Sequence, residues 1–269
     1  MTSAMVGSAE RVAAMLLRYG YLLRSSWPRL VELVYWPTVQ MMLWGFMTQF
    51  LLTNSTWVAQ AAGVLISGVL LWDILYRSQL GVALMFLEEM YARNLGQLFV
   101  SPLRPLEWVA ALLTVSLLRT LISFVGASAL AALFYHFSIL TLGFPLIFFF
   151  FNLMVMGWAI GLAVCGMVLR WGMGAESMAW VAIFALAPFT GIYYPIGTLP
   201  GPLQTFAYLL PSSYVFEGMR AVLVEHVVRW DMLRDAVALN AVYLVLGTVS
   251  FLFAFRASRV RGLLIHVGE

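Results

Sequence analysis

The chain has 269 residues, of which 63% are hydrophobic and only 10% are charged. Soluble domains carry about 25% charged residues, so a soluble fold is excluded because it could not bury this much apolar surface. All fifteen basic residues are arginines, and with twelve acidic residues they leave a net charge of +3. This balance is too small, and the arginines too dispersed, for a nucleic-acid-binding surface.

The first 28 residues are predicted to form an amphipathic helix that lies in the membrane interface. Arg11, Arg18 and Arg29 are spaced by seven and eleven residues, which places them on one side of a helix. The apolar residues of the same segment fall on an adjacent arc: Val12, Met15, Leu16, Tyr19, Leu22 and Leu23. The alternative interpretation is a basic tail that only orients the first span.

Six membrane-spanning helices are predicted. A bilayer core about 30 Å thick needs about 20 apolar residues in a helix, and the apolar runs here are too long and continuous for barrel strands. The chain therefore reads as one transmembrane domain over residues 1–269, with a tail at 257–269. The six spans are predicted at 31–53, 57–82, 107–135, 142–169, 177–197 and 235–256.

Asp73 and Arg119 fall well inside the second and third predicted spans, where a charge costs at least about 2.5 kcal/mol at the bilayer centre. Asp73 and Arg119 lie at similar predicted depths, so we expect them to pair across the second and third spans. Arg77, one helical turn from Asp73, is a competing partner, and a proton relay is a further alternative. Gly157 and Gly161 form a GxxxG pair, predicted to pack helices within the chain, with dimerisation as the alternative.

The segment from Glu88 to Glu107 is polar and rich in turn-forming residues, although it lies between two apolar runs. Its paired carboxylates, its Arg-Asn pair and its two prolines predict a surface that contacts a partner outside the membrane.

A second irregular segment, from Pro188 to Pro211, contains five prolines and three glycines and cannot form one straight helix. Its residues are nevertheless apolar, which predicts a re-entrant element dipping back from the outer face. The alternative is an ordinary long external loop. Residues 213–229 are predicted to form a short helix with two ion pairs, Glu217–Arg220 and Glu225–Arg229.

The distribution of arginines predicts the orientation of the chain. If the N-terminus is cytosolic, the inside carries most of them, in agreement with the positive-inside rule. Both termini and the Glu88–Glu107 segment are then expected in the cytosol. The inside residues are Arg11, Arg18, Arg24, Arg29, Arg77, Arg93, Arg104, Arg170, Arg256, Arg259 and Arg261.

No catalytic, nucleotide or metal motif is present in the sequence. It lacks GxxxxGK[ST], HExxH and CxxC, its three histidines are scattered, and Cys165 lies in an apolar run. We therefore expect a non-enzymatic chain that binds no cofactor or metal of its own.

Two stretches carry a resemblance to the permease subunit of type-2 ABC exporters. One runs from Arg93-Asn94-Leu95 through Leu98-Phe99-Val100-Ser101-Pro102-Leu103. The other is the segment from Gly191 to Leu199, continued by Leu209-Leu210-Pro211 and Glu217-Gly218-Met219-Arg220. Within the second stretch, the positions similar to the family's re-entrant pattern are Gly191, Tyr194, Pro195, Pro200, Pro211, Glu217 and Arg220.

The resemblance implies an all-α membrane protein with six spans, an interfacial N-terminal connecting helix and a cytosolic coupling helix after span two. It also implies two permease halves, expected as a homodimer, in the inner or plasma membrane, and two ATPase subunits that carry ATP and Mg²⁺. The residues expected at the ATPase contact are Glu88, Glu89, Tyr91, Arg93, Asn94, Gln97, Ser101 and Pro102.

The expected substrate is a hydrophobic or amphipathic small molecule of the drug, lipid or glycolipid class. Two alternatives stay open: a secondary transporter that works without ATP, and a permease specialised for lipid-linked polysaccharide.

Overall fold

The computed structural model describes residues 2–54 and 58–260, and all regular secondary structure within these ranges is helical. The last part of the predicted tail, residues 261–269, lies outside the described residues. The helices are α1 (Thr2–Arg24), α2 (Trp27–Asn54), α3 (Val58–Tyr91), α4 (Leu95–Val100), α5 (Pro105–Tyr135), α6 (Pro145–Trp171), α7 (Met178–Leu186), α8 (Gly201–Ala207), α9 (Pro211–Arg220) and α10 (Trp230–Val260).

Four helices within the described ranges are long and apolar enough to cross a bilayer. They are Gly63–Tyr91 of α3, Pro105–Tyr135 (α5), Pro145–Trp171 (α6) and Trp230–Val260 (α10). These correspond to the second, third, fourth and sixth predicted spans. The end predicted for the second span, residue 82, is wrong because the helix continues to Tyr91 and places Glu88 and Glu89 in its last turns.

The first and fifth predicted spans differ from these four. Helix α2 has 28 residues but contains Pro37 in its interior. Helix α7 ends at Leu186, and a 3₁₀ turn extends the apolar stretch only to Phe189. At about 1.5 Å per residue, Met178–Phe189 is about 18 Å long, which is too short for the bilayer core. One continuous helix over 177–197 is therefore wrong, because Pro188 ends the helix.

The short helix predicted at 213–229 is also shifted. Helix α9 begins at Pro211, and a π-helical turn continues it over Ala221–Glu225. His226 then adopts a left-handed conformation with φ 56°, which ends the helix before Arg229.

Helix α3 forms the centre of the bundle. In its most apolar stretch 83% is buried against protein, compared with 39% for α5 and 22% for α10. Helix α6 packs between α3 and α10. The side chains that α5 and α10 leave exposed are mostly apolar, as expected for helices in contact with lipid.

Glycines allow α6 to approach both neighbours closely. A Cβ at Gly157 would lie 1.9 Å from Ser78 Oγ, and one at Gly161 would lie 2.9 Å from Gln79 O, both on α3. On the other side, a Cβ at Gly247 of α10 would lie 2.5 Å from Ala159 O. The GxxxG pair therefore packs helices within the chain.

The two ends of the bundle have different architectures. At one end α1 lies against α5, beside the short helix α4 and the last turns of α3 and α10; we call this end the α1 face. At the opposite end the 3₁₀ turns Ala187–Phe189 and Ile196–Thr198 precede α8, α9 and the π-helical turn; we call this end the α9 face.

Candidate functional site

Helix α3 stops at the α1 face through a Schellman motif. Arg93 adopts a left-handed conformation with φ 53°. Its N–H donates to Met90 O (2.9 Å), and the N–H of Asn94 donates to Glu89 O (3.1 Å). This pattern satisfies the last carbonyls of a helix and is usually built on glycine. The motif turns the chain sharply, so that α4 begins immediately at Leu95.

Helix α4 and the residues beside it present an exposed surface of mixed polarity away from the bundle. Tyr91 is 49% exposed and Val100 is 89% exposed, and the side chains of Arg93, Gln97 and Pro102 are exposed with them. We call these five residues the α4 surface. All but Val100 were predicted as contact residues.

The remaining predicted contact residues lie inward of the α4 surface. Asn94 and Ser101 are half-buried, and the Ser101 hydroxyl donates to Leu98 O (2.6 Å). Ser101 therefore ends helix α4 and shapes the turn towards Pro105, which starts α5.

Glu89 is not part of this surface, in contrast to the prediction. Its side chain is 2% exposed, and its Oε2 accepts a hydrogen bond from Arg18 Nη2 of α1 (2.7 Å). Glu88, on the neighbouring position of α3, is half-buried. The carboxylate that looked suited to an external partner instead binds α1, because α1 covers this side of α3.

A second ion pair joins α1 to α5. Arg11 Nε donates to Glu107 Oε2 (2.8 Å), and Arg11 Nη2 donates to Glu107 Oε1 (2.6 Å). Ser8 Oγ donates to Oε1 (2.7 Å), and the N–H of Arg104 donates to Oε2 (2.9 Å). One carboxylate thus caps the N-terminus of α5 and anchors α1.

An aromatic contact adds to the two ion pairs. Trp108 Nε1 donates to the Tyr19 hydroxyl (3.0 Å), and both side chains are buried. Burial raises the pKa of the Tyr19 phenol, so the hydroxyl stays protonated. Trp108 also packs against Phe86 of α3 and Phe255 of α10. We call the two ion pairs and this contact the α1 clamp, which holds α1 on the helices that flank α4.

The turn between α6 and α7 also reaches the α1 face. The Tyr91 hydroxyl donates a hydrogen bond to the Glu176 carboxylate, which lies just before α7. This contact joins the end of α3 to the turn that precedes the short helix α7.

The predicted ion pair between Asp73 and Arg119 is wrong. Within the described residues, the cation bound to Asp73 is Arg77, whose Nε lies 2.6 Å from Asp73 Oδ2. Ser123 of α5 donates to the same oxygen (3.2 Å). The local partner is favoured because residues four apart on a helix already face each other. Arg119 instead lines a cavity together with Arg77, Trp36 and Trp180.

At the α9 face, Arg220 and Glu217 hold the broken segment, residues 188–211, in place. Arg220 Nη2 donates to the carbonyls of Gly191 and Ile192, and Arg220 Nη1 lies 3.2 Å from Glu217 Oε1. The same Glu217 oxygen accepts the N–H of Ile196 (2.7 Å). Burial lowers the pKa of the Arg220 guanidinium, while the Glu217 carboxylate raises it; the side chain remains a cation.

The other predicted residues of this segment shape its backbone. Gly191 has φ 72°, and Tyr194 OH donates to Pro188 O (2.5 Å), which closes the loop between them. The prolines stand at the starts of helical turns: Pro195 before Ile196–Thr198, Pro200 before α8, and Pro211 as the first residue of α9.

The α1 clamp consists of contacts that the sequence did not predict. Glu107, Tyr19 and Trp108 are each separated from their partners by about 90 residues or more. The available signal was the helical spacing of Ser8, Arg11 and Arg18, which places them on one side of α1. Nothing in the sequence pointed to Glu176.

Comparison with known families gives one match. The family model described as ABC-2 type transporter matches residues 21–224, which is more than half of the chain and includes α4 and the α9 face up to the π-helical turn. No curated protein matches the chain. With its apolar spanning helices, the chain is a multi-pass membrane permease component, and its family implies an ABC-type ATPase partner. The chain therefore belongs to the ABC-2 type transporter family.

Proposed function

We propose that this chain is the permease half of an ATP-driven exporter, and that the α4 surface binds a separate ATPase subunit. The observation that carries the proposal is the combination of exposure and rigid mounting at α4. Its outward side chains are exposed, whereas the helices on both sides of it are held by the α1 clamp. A surface that receives force from a partner must be attached firmly to the helices that it moves.

In this proposal the α1 face is cytosolic. The described arginines near this face are Arg11, Arg18, Arg24, Arg93, Arg104, Arg170, Arg256 and Arg259, compared with Arg220, Arg229 and Arg234 near the α9 face. This bias supports a cytosolic location because basic residues favour the inner side of a membrane. ATP and Mg²⁺ would then bind to the ATPase subunit, which the cytosol supplies with nucleotide.

The proposed assembly has two permease halves and two ATPase subunits, in the inner or plasma membrane. Helix α2 and the short helix α7, together with the re-entrant segment, would complete the six-span plan. The exposed side chains of α2 and α7 support this role because they are largely apolar, among them Phe46, Met47, Trp180 and Phe184. The substrate proposed is a hydrophobic or amphipathic small molecule.

Site-specific crosslinking tests the proposed contact. A photoreactive amino acid at Gln97 is expected to form an adduct with an ABC-type ATPase in native membranes. The matched control is the same amino acid at Val227, which is exposed on the α9 face. An adduct at both positions, or at neither, would contradict the assignment of the α4 surface.

The double variant Arg93→Gly/Gln97→Ala tests whether the α4 surface binds the ATPase subunit without disturbing the folding of the permease. Glycine is the residue that the left-handed position favours, so the turn is kept while the guanidinium is removed. We expect normal insertion and melting temperature, and reduced recovery of the ATPase subunit with the tagged permease. Transport by the purified chain in vesicles without ATP would instead support a secondary transporter.

A further inference from the structure

A small pocket with two arginines lies at the α1 face, beside α4. Arg104 precedes α5, and Arg259 lies in the last turn of α10. The apolar part of the pocket consists of Leu98, Leu103, Pro105, Trp108 and Phe255. The pocket thus combines two cationic side chains with an apolar floor at the ends of membrane helices.

No described residue neutralises either arginine of this pocket. Within the described part of the chain, Arg104 and Arg259 form no ion pair. The nearest carboxylate along the chain, Glu107, already accepts hydrogen bonds from Arg11, Ser8 and the Arg104 backbone. The pocket therefore offers two cationic side chains to an anion.

The size of the pocket and its position in the bundle restrict the class of anion that can bind there. The pocket volume is about 40 Å³, and a single water needs about 10–15 Å³ on this scale, so about three water-sized groups fit. A phosphate group matches this size, whereas a sugar does not. Trp108 lies one turn into the span, and Trp side chains are typical of the headgroup level of a bilayer.

We propose that this pocket binds the phosphate of an anionic phospholipid, with the acyl chains following the apolar sides of α5 and α10. Basic pockets between membrane helices are suited to anionic headgroups, and arginine binds phosphate through two parallel hydrogen bonds. Because Leu98 lies in α4 and Leu103 follows it, the bound lipid contacts both the α4 segment and the end of α10. Binding itself does not depend on the proposed function; only the assignment to the cytosolic leaflet rests on it.

Lipid retention measured by native mass spectrometry tests this site. The full chain is reconstituted in phosphatidylcholine nanodiscs with and without phosphatidylglycerol, released into detergent, and scored for bound phosphatidylglycerol. In Arg104→Gln/Arg259→Gln, retention is expected to weaken by roughly 10- to 30-fold, since each arginine contributes about 1 kcal/mol near an anionic surface. The control pair Arg170→Gln/Arg256→Gln removes the same charge from exposed residues that do not line the pocket, and it is expected to retain the lipid.

Each other outcome overturns the proposal. An equal loss in the two pairs indicates general attraction to an anionic surface, and retention in both indicates that the pocket is not the site. If inorganic phosphate raises the melting temperature while phosphatidylglycerol does not, the pocket binds a free anion rather than a lipid. Should the glutamine pair fail to fold, Arg104→Lys/Arg259→Lys keeps the charge, and it is expected to give intermediate retention because lysine lacks the planar fork.

Discussion

The α1 face and the α9 face are held together by different kinds of contact. At the α1 face, side chains of α1 bind side chains of α3 and α5, as in Arg18–Glu89 and Arg11–Glu107. At the α9 face, side chains of α9 bind backbone groups of the broken segment, as in Arg220 to the Gly191 carbonyl and Ile196 N–H to Glu217.

The difference follows from the state of the backbone at each end. The helices at the α1 face are regular, so most of their peptide groups are already paired and the ion pairs mainly fix one helix against another. The segment at the α9 face is interrupted by proline and glycine in apolar surroundings, where unpaired peptide groups are costly. Its ion pair therefore replaces hydrogen bonds of the missing helix, and its loss is expected to cost more.

The largest effect is expected for Arg220→Met, which keeps most of the side-chain volume. It leaves two carbonyls and the Glu217 carboxylate without their partner, at a cost of about 2–3 kcal/mol in the free energy of unfolding. The melting temperature in detergent should fall by about 5–10 °C. Arg229→Met is the control, because the Arg229–Glu225 pair is largely exposed and worth about 0–1 kcal/mol. Equal losses would contradict the structural role of Arg220.

At the α1 face, Arg18 and Glu89 should respond unequally to substitution. Glu89 is buried and Arg18 is partly exposed, so Arg18→Met leaves a buried carboxylate unpaired and costs about 1–3 kcal/mol. Glu89→Met leaves a cation that water can reach, and it should cost less. Thermal unfolding of both variants and of the double variant measures this, and the double variant is expected to recover part of the loss. The reverse order would show that α1 does not cover Glu89.

Glu107→Gln is expected to loosen α1 without unfolding the bundle. It removes the charge that binds Arg11, at a cost of about 1–2 kcal/mol. Amide hydrogen exchange over residues 8–19 should become faster, while exchange in α3 stays unchanged. Glu10→Gln is a suitable control, since Glu10 is exposed on the same helix. Additive effects in a double-mutant cycle with Arg11→Gln would argue against the ion pair.

The smallest effect on stability is expected for Tyr91→Phe. Tyr91 is half exposed, so the loss of its hydrogen bond to Glu176 should change the free energy of unfolding by about 0.5 kcal/mol or less. Hydrogen exchange of the turn at 172–177 should nevertheless increase, because that turn loses its attachment to α3. Unchanged exchange in this turn would show that the contact does not restrain it.

Local patterns predicted part of this site correctly. The spacing of Glu217 and Arg220 placed both side chains on one face of a helix, and the structure contains that pair. The prolines and glycines after residue 187 predicted a broken segment, since proline lacks the N–H that a helix needs. The arginines of α1 predicted a helix with one distinct face, and two of them, Arg11 and Arg18, form the ion pairs of the α1 clamp.

Which residues of different helices contact each other was harder to predict from the sequence. Equal depth in the membrane suggested Asp73–Arg119, but depth does not specify the rotation of two helices about their axes. Glu89 looked like a contact residue because it stands in a polar segment, although α1 covers it. Both errors concern which side of a helix faces which neighbour, and packing decides this.

The sequence by itself determined that lipid surrounds most of this protein and that the chain is helical. It also determined that the segment from Pro188 to Pro211 is broken and that two stretches carry the motifs of the family. Each of these depends on composition or on residues close together in the chain. Only the tertiary structure decided which polar residues remain exposed on the surface of the bundle. Docking of α1 buried Glu89 and left the α4 surface exposed, because contacts between residues 70 to 100 positions apart depend on how whole helices pack.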